Sequence, residues 1–338
     1  MPRTSPPRPL DLPALFPGLD AHARGATRLH PRPGTPDPAG SHLGGSLRWP
    51  TDEPWPTCVG PHRTEVREAL TEAEAHRLRT VRGALFQAGL DRNVGSIGIG
   101  GGEAGPHLIY DVRLPAAVPT PMVAVAQLYA ADLPDLPCPT GTDLLQVLWC
   151  PRAHDTEADQ WGPRVELRWR ATADLAGAAL LRPEVAEADE SYLVRPCVLH
   201  PEQVRDYPYW QELPPELGQR VREHDDTRDD GGPSYWSVSQ ATGWKVGGLP
   251  QWGVSDPDPM ACPDCARPMP LVLTIASCEF EGTAWRPLEE ADLVPSWTDP
   301  RWRDAERPTG IGLGGGAASL RVFVCPDCAG HPMRTNMH

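Results

Sequence analysis

At 338 residues the chain is long enough for one large core or two medium ones, and 40% hydrophobic residues mark it as globular rather than disordered. Its net charge of −14 argues against a polyanionic partner, because affinity for nucleic acid comes chiefly from Lys and Arg neutralising phosphates. That field suits a basic protein partner instead. With 42 Pro and 32 Gly, short elements and turns should dominate over long helices. Lys occurs once, at Lys245, against 30 Arg, an imbalance that suggests a GC-rich coding genome more than any chemistry.

The N-terminus, MPRTSPPRPLDLPALFPGL, has prolines where a signal peptide would need an apolar run, and no stretch approaches the roughly 18 apolar residues of a membrane span. Residues 1–25 read as an irregular arm. Residues 31–45, PRPGTPDPAGSHLGG, form a loop entering a Gly-Gly turn, and a Trp-bearing segment with Trp49, Trp55, Cys58 and His62 follows. From 64 to 88 the spacing of Val66, Leu70, Ala73, Leu78, Val81 and Leu85 predicts one or two helices that pack one face onto a sheet. Thr71 and Glu74 are placed for a capping box. Strand patterns then follow in VGSIGIGG (94–101), HLIYDVRL (107–114), PMVAVAQLYAADL (121–133) and DLLQVLWC (143–150). Val165, Leu167 and Trp169 alternate at period two in a further strand. The acidic stretch 182–192 reads as a connection between halves. The second half brings a short helix after Pro214 and Pro215, an acidic loop at 225–232, and strands at LVLTI (271–275) and SLRVFVC (319–325).

Four cysteines of the second half stand in two C-P-D-C knuckles, Cys262/Cys265 and Cys325/Cys328, with residues 266–324 between them. Paired C-x-x-C motifs bring four thiolates to one tetrahedral Zn²⁺: two intervening residues allow a tight turn that aims both sulfurs at one point. Pro pre-sets that turn and Asp tolerates its second corner.

The two halves resemble each other block by block. HLGGSLRW (42–49) matches KVGGLPQW (245–252). EPWPTC, ending at Cys58, matches DPDPMAC, ending at Cys262. PMVAVAQLYAADL matches PMPLVLTIASCEF (268–280), and DLLQVLWCP matches SLRVFVCP (319–326). Cys58 therefore stands where Cys262 stands, and Cys150 where Cys325 stands. Cys58 and Cys150 are each followed four residues on by a histidine, giving Cys58-x-x-x-His62 and Cys150-x-x-x-His154. A Cys₂His₂ tetrahedron also suits Zn²⁺, so the alignment predicts two related sites, both with four protein ligands and no open position. Cys138, Cys197 and Cys278 stand singly and should simply be buried. Cysteines held as metal ligands point to a reducing compartment, the cytoplasm.

Two glycine runs, Gly100–Gly105 and Gly312–Ala317, match dinucleotide fingerprints on paper, but strand-like sequence follows both where a helix would be needed. His42, His107, His200 and His331 have no carboxylate or nucleophile at a telling spacing. Trp49, Trp55, Trp244 and Trp252 recur near both Gly-Gly turns, as core residues or, in a sharper reading, as partner-binding anchors.

The blocks WKVGGLPQW, C-x-x-C-x-x-P-M, LVLTI and the closing F-V-C-P-D-C resemble the YwqG-like family of bacterial proteins over most of residues 40–155 and 235–330. The first half departs from it in its C-x-x-x-H variant and its helical insert. That family is a domain of unknown function, so the resemblance implies a metal-pinned fold and no reaction. Together these features predict an α+β, β-predominant fold made of two similar zinc-pinned halves, 26–192 (with a helical insert near 64–88) and 193–338. The expected role is a non-catalytic binding or adaptor module for a basic protein, of the toxin-neutralising kind. The alternative is an enzyme with a His-based site in the groove between the halves.

Overall fold

A computed structural model describes residues 2–87, 98–100, 105–116, 118–155, 161–227, 231–253, 256–280, 285–294 and 296–337. Frequent Pro and Gly keep most elements short, and strand residues outnumber helical ones, an α+β chain with β predominating. In the first part of the chain the strands are β1 (Arg24–Arg28), β2 (Arg32–Pro33), β3 (His42–Leu43), β4 (Leu47–Trp49), β5 (Thr57–Cys58), β6 (His62–Ala69), β7 (Gly98–Gly100), β8 (His107–Leu114), β9 (Thr120–Pro121), β10 (Val123–Tyr129), β11 (Leu144–Asp155), β12 (Trp161–Arg170) and β13 (Ala179–Leu181). The rest are β14 (Cys197–Val198), β15 (Glu202–Asp206), β16 (Lys245–Gly247), β17 (Leu271–Ala276), β18 (Ser319–Val324) and β19 (Met333–Met337). The helices are α1 (Leu12–Leu15), α2 (Glu72–Gln87), α3 (Pro215–Asp226), α4 (Tyr235–Val238), α5 (Leu288–Leu293) and α6 (Trp302–Glu306).

Two six-stranded sheets carry the architecture. One runs β12-β11-β10-β3-β14-β2 and the other β19-β18-β17-β16-β1-β15, with antiparallel neighbours throughout. In the first sheet the ladder slips by one residue at Val125, between Ala124 and Ala126; in the second it slips at Val272, between Leu271 and Leu273. Each slip leaves one extra residue unpaired, as a β-bulge does. The Gly pairs after β3 and within and after β16 all have positive φ, at 58°, 73°, 66° and 74° for Gly44, Gly45, Gly247 and Gly248. Only glycine fits: a Cβ on Gly44 would sit 2.7 Å from the Val194 carbonyl oxygen, and one on Gly247 2.8 Å from that of Asp135.

The inner faces of both sheets pack into one core, with Leu43, Val125, Leu145 and Val147 from one meeting Val246, Leu273, Ile275 and Val322 from the other. Alternation at period two explains this burial, since residues i and i+2 share a sheet face. A boundary between residues 192 and 193 does not divide the sheets. β1, early in the chain, lies between β15 and β16, whereas β14, from the later part, lies between β3 and β2.

Three local expectations are corrected. Residues 64–69 are strand, not helix: β6 pairs with β8 along its whole length, and the helix starts only at Glu72. Thr71 and Glu74 do form the capping box there, with Thr71 N donating to Glu74 Oε2 at 2.8 Å and Glu74 N to Thr71 Oγ1 at 3.3 Å. α2 does not lay an apolar face on a sheet, because Leu78 and Val81 are exposed and only Ala75 is buried among its described side chains. The N-terminal 25 residues are not wholly irregular: Asp11 caps α1, and Leu12, Phe16 and Leu19 pack against Leu217 and Val221 of α3. The glycines at 312–317 lead through a single 3-10 turn straight into β18, so no helix faces a pyrophosphate there. The other glycine run lies partly outside the described residues, as do 228–230 of the acidic loop.

Candidate metal centres

Both predicted ligand sets converge. Cys58, His62, Cys150 and His154 form one group and Cys262, Cys265, Cys325 and Cys328 another, with the ligand atoms of each group within 4.8 Å of one another. Each group could hold a metal ion.

In the first centre, β5 and β6 supply Cys58 and His62 on either side of a turn through Gly60. Gly60 has φ +87°, and a Cβ there would come 2.9 Å from His62 N, so the turn requires glycine. β11 supplies Cys150 and His154, four residues apart and hence on one face, where its register with β12 shifts between Trp149 and Ala153. Cys58 Sγ lies 3.6 Å from His154 Nε2, and Cys150 Sγ lies 3.3 Å from His62 Nε2. The second centre is built on two knuckles. Cys262 N donates to Arg267 O and Ala266 N to Cys262 O, both closing the first turn, with Ala266 at φ +58°. Cys325 follows β18 directly; its N–H donates to Pro332 O, and His331 N donates to Cys328 O. The sulfurs of Cys262 and Cys328 are 3.9 Å apart and those of Cys265 and Cys325 3.8 Å.

These separations test the fit. A tetrahedral ion held by thiolates at about 2.3 Å and imidazoles at about 2.0 Å sets sulfur–sulfur edges of about 3.8 Å and sulfur–nitrogen edges of about 3.6 Å. A disulfide would bring the sulfurs to about 2.05 Å. None of the nine cysteines forms a disulfide. The donor chemistry also fits. Burial, followed by the nearby His62, lowers the pKa of His154 to about 4, which leaves a neutral imidazole with a lone pair for a metal. The backbone carbonyl of Pro61 is hydrogen-bonded to His154, consistent with Nε2 being the nitrogen turned toward Cys58. The backbone and guanidinium of Arg267 lower the Cys265 thiol to about 6, favouring the thiolate a metal binds. Burial pushes Cys150 the other way, to about 12, so its proton must leave when a metal enters.

Each centre sits against its own satellite core. Leu47, Trp49, Met122, Ala124 and Leu148 surround Cys58 and Cys150, and Trp252, Met260, Met269, Leu271 and Phe323 surround Cys262 and Cys325. Trp49, Trp244 and Trp252 are buried and Trp55 is half-buried against Trp49, so the tryptophans of the Gly-Gly turns are packing residues and not docking anchors. Of the single cysteines, Cys197 is buried while Cys138 and Cys278 are half-buried.

The histidines considered for acid–base work do not gather. His42 turns its ring nitrogens to the carbonyls of Gly40 and Ser46, His107 to that of Gly105, and His331 to that of Cys325. His200 has its pKa lowered by burial and by the neighbouring cations, Arg3 first. The histidine that does meet carboxylates is His30. It is fully buried, with Nε2 3.0 Å from Glu202 Oε2 and Nδ1 2.7 Å from Glu279 Oε1, the latter outside hydrogen-bonding geometry. Nothing in its local spacing points to either partner. A tripeptide, Leu-His-Pro, occurs at 29–31 and again at 199–201, and that is the one available signal that this segment matters.

Burial alone would raise the Glu202 pKa, but hydrogen bonds from His30 and from the backbone and hydroxyl of Ser5 outweigh it and hold the carboxyl at about 2. A depressed carboxylate contributes stability that is complete above its unfolded value, about 4.3, and is lost as pH falls toward its folded one. Urea midpoints measured from pH 6 to pH 3 should therefore fall less steeply for E202Q than for the parent chain. At pH 7 that variant should lose about 1–2 kcal/mol. Parallel slopes would remove Glu202 from the acid response.

No family model matches the chain, and no curated protein does. Among the described residues, no helix is long and apolar enough to cross a membrane.

Proposed function

We propose that this chain is a zinc-stabilised binding protein, built by internal duplication, that holds one Zn²⁺ in each half and takes up a basic protein partner. The observation that carries the reading is the closure of both centres: four protein donors fill each tetrahedron, the pattern of structural rather than catalytic zinc. The duplication is supported by the equal strand orders, by the bulges at Val125 and Val272, and by the paired left-handed glycines. The two Leu-His-Pro segments add to it, since each links a fifth strand of one sheet to the sixth strand of the other, β1 to β2 and β14 to β15. On this reading the halves exchange their first strands.

The basic partner rests on the net charge of −14 and no longer on the tryptophans. A toxin-neutralising role is the form we favour. Kinship with the bacterial YwqG-like family is supported by the blocks at 245–252, 262–275 and 319–328, and a cytoplasmic setting by nine cysteines without a disulfide. Native mass spectrometry of the chain mixed with a panel of basic proteins should reveal a complex that weakens with salt; failure across the panel would count heavily against the reading. A second, enzymatic reading draws on His30 between Glu202 and Glu279. It calls for a hydrolase activity that H30A abolishes while both metals stay bound.

A further inference from the structure

One register row of the second sheet is rich in polar and charged residues from edge to edge. Glu202 lies opposite Arg28, Arg28 opposite Lys245, Lys245 opposite Thr274, Thr274 opposite Arg321, and Arg321 opposite Asn336. Such direct partners lie about 5 Å apart on one face of the sheet. The row holds three buried cations, and two have counter-charges: Arg28 pairs with Glu279 at 3.2 Å, and Lys245 with Asp206. Arg321 differs. It is 4% exposed, donates to Asn336 Oδ1 at 2.7 Å and stands over the Trp252 ring at 5.8 Å, but no carboxylate among the described residues pairs with it. Burial lowers its pKa to about 10, with no acidic group working in the other direction, so it remains charged at neutral pH. A buried charge without a partner is strongly unfavourable, and an arginine kept in that state needs an anion from elsewhere.

The surroundings provide for one. Arg321 lines a cavity of about 40 Å³ together with Lys245, Thr274, Ser319, Gln251 and Cys278. By a measure in which one water needs about 10–15 Å³, that is room for three waters or one small ion. The matching row of the first sheet has a neutral side chain at this point, and its hydrogen bonds are satisfied. Gln146 occupies the position of Arg321, donating to Arg48 O at 2.7 Å and accepting from Arg170 Nε at 2.7 Å, while Gln127 donates to Pro38 O at 2.8 Å.

We propose that this cavity of the second sheet binds a small tetrahedral oxyanion, inorganic phosphate or the phosphate end of a monoester, with Arg321 as its charged anchor. A guanidinium fork matches two oxygens of such an ion, and the hydroxyls of Thr274 and Ser319 and the amide of Gln251 supply further donors. Because the pair forms in a buried place, moderate salt screens it little despite the acidic surface.

The test is thermal unfolding and calorimetric titration of the metal-loaded chain with sodium phosphate, against sodium chloride at equal ionic strength. The midpoint should rise with phosphate concentration as ligand linkage requires. R321M should lose that response, and T274V, which keeps the charge, should bind roughly tenfold more weakly for one lost hydrogen bond. Phenyl phosphate separates the sources: binding of both supports a monoester site open to solvent, and binding of phosphate alone supports an enclosed ion site. A parent chain that responds to phosphate no more than to chloride up to about 50 mM overturns the proposal. So does an equal response in folded R321M or, should that variant fail to fold, in T274V.

Discussion

Purified chain should carry two zinc ions, and stripping them should lower its thermal midpoint by about 10 °C or more. Each ion would fasten segments far apart in sequence: Cys58 to Cys150 in one centre, Cys262 to Cys325 in the other. Cross-links over loops of some sixty to ninety residues remove roughly 4–5 kcal/mol of unfolded-chain entropy each, an upper bound when the centre is as well packed as these are. The loss should also be separable. C262S should cut the zinc content to one and loosen the packing of Trp252 and Phe323, leaving the Trp49 region intact; H154A should do the converse. Elemental analysis with tryptophan fluorescence gives the answer. One zinc in the unmodified chain would confine the metal to a single half, and none would remove the basis of the functional reading.

D206A should destabilise the chain by about 3–5 kcal/mol, because it strands the chain's one lysine in the core. Asp206 is fully buried and accepts from Lys245 Nζ, from Ala241 N at 2.9 Å and from Leu249 N at 3.1 Å. It thereby ties β15 to the turn after β16, where a Cβ on Gly248 would lie 2.4 Å from its Oδ2. Removing the carboxylate leaves an ammonium without its counter-charge, and one buried and one half-buried amide without acceptors. Desolvation already lowers the Lys245 pKa, and Asp206 is the group that opposes it. The double variant D206L/K245M should recover much of the loss, since apolar replacements of a buried pair are often near neutral. Urea unfolding of D206L, K245M and the double variant yields the coupling energy; additive losses would show that the pair is not a unit.

How much of this is legible from residues alone depends on the range over which the information acts. The eight candidate ligands are legible because their spacing is local: two residues between cysteines or three between Cys and His leave few uses other than a metal, and the block alignment supplies the partner knuckle. β10, β11, β17 and β18 are legible because one buried face imposes period two. β6 is not, since Val66 and Leu70 fall by coincidence into the helical spacing that truly begins at Glu72. The placement of β1 between β15 and β16, and of β14 between β3 and β2, is invisible locally, because two- and five-residue strands carry little pattern and their partners lie far along the chain. Nothing in the local sequence places Lys245, Asp206 and His30 in the interior, where pairing puts them; charge alone does not announce burial.

The position of β1 has a consequence during synthesis. Its neighbours on both sides, β15 and β16, are encoded about 180 and 220 positions later. At roughly 5–20 residues per second a ribosome needs about ten to forty seconds to cover that distance. For all of that time residues 24–28 leave the exit tunnel with bare edges and no native mate. β1 is thus paired on both edges only after residue 247 has emerged, and the nascent first half must be kept from pairing with its neighbours on the polysome until then.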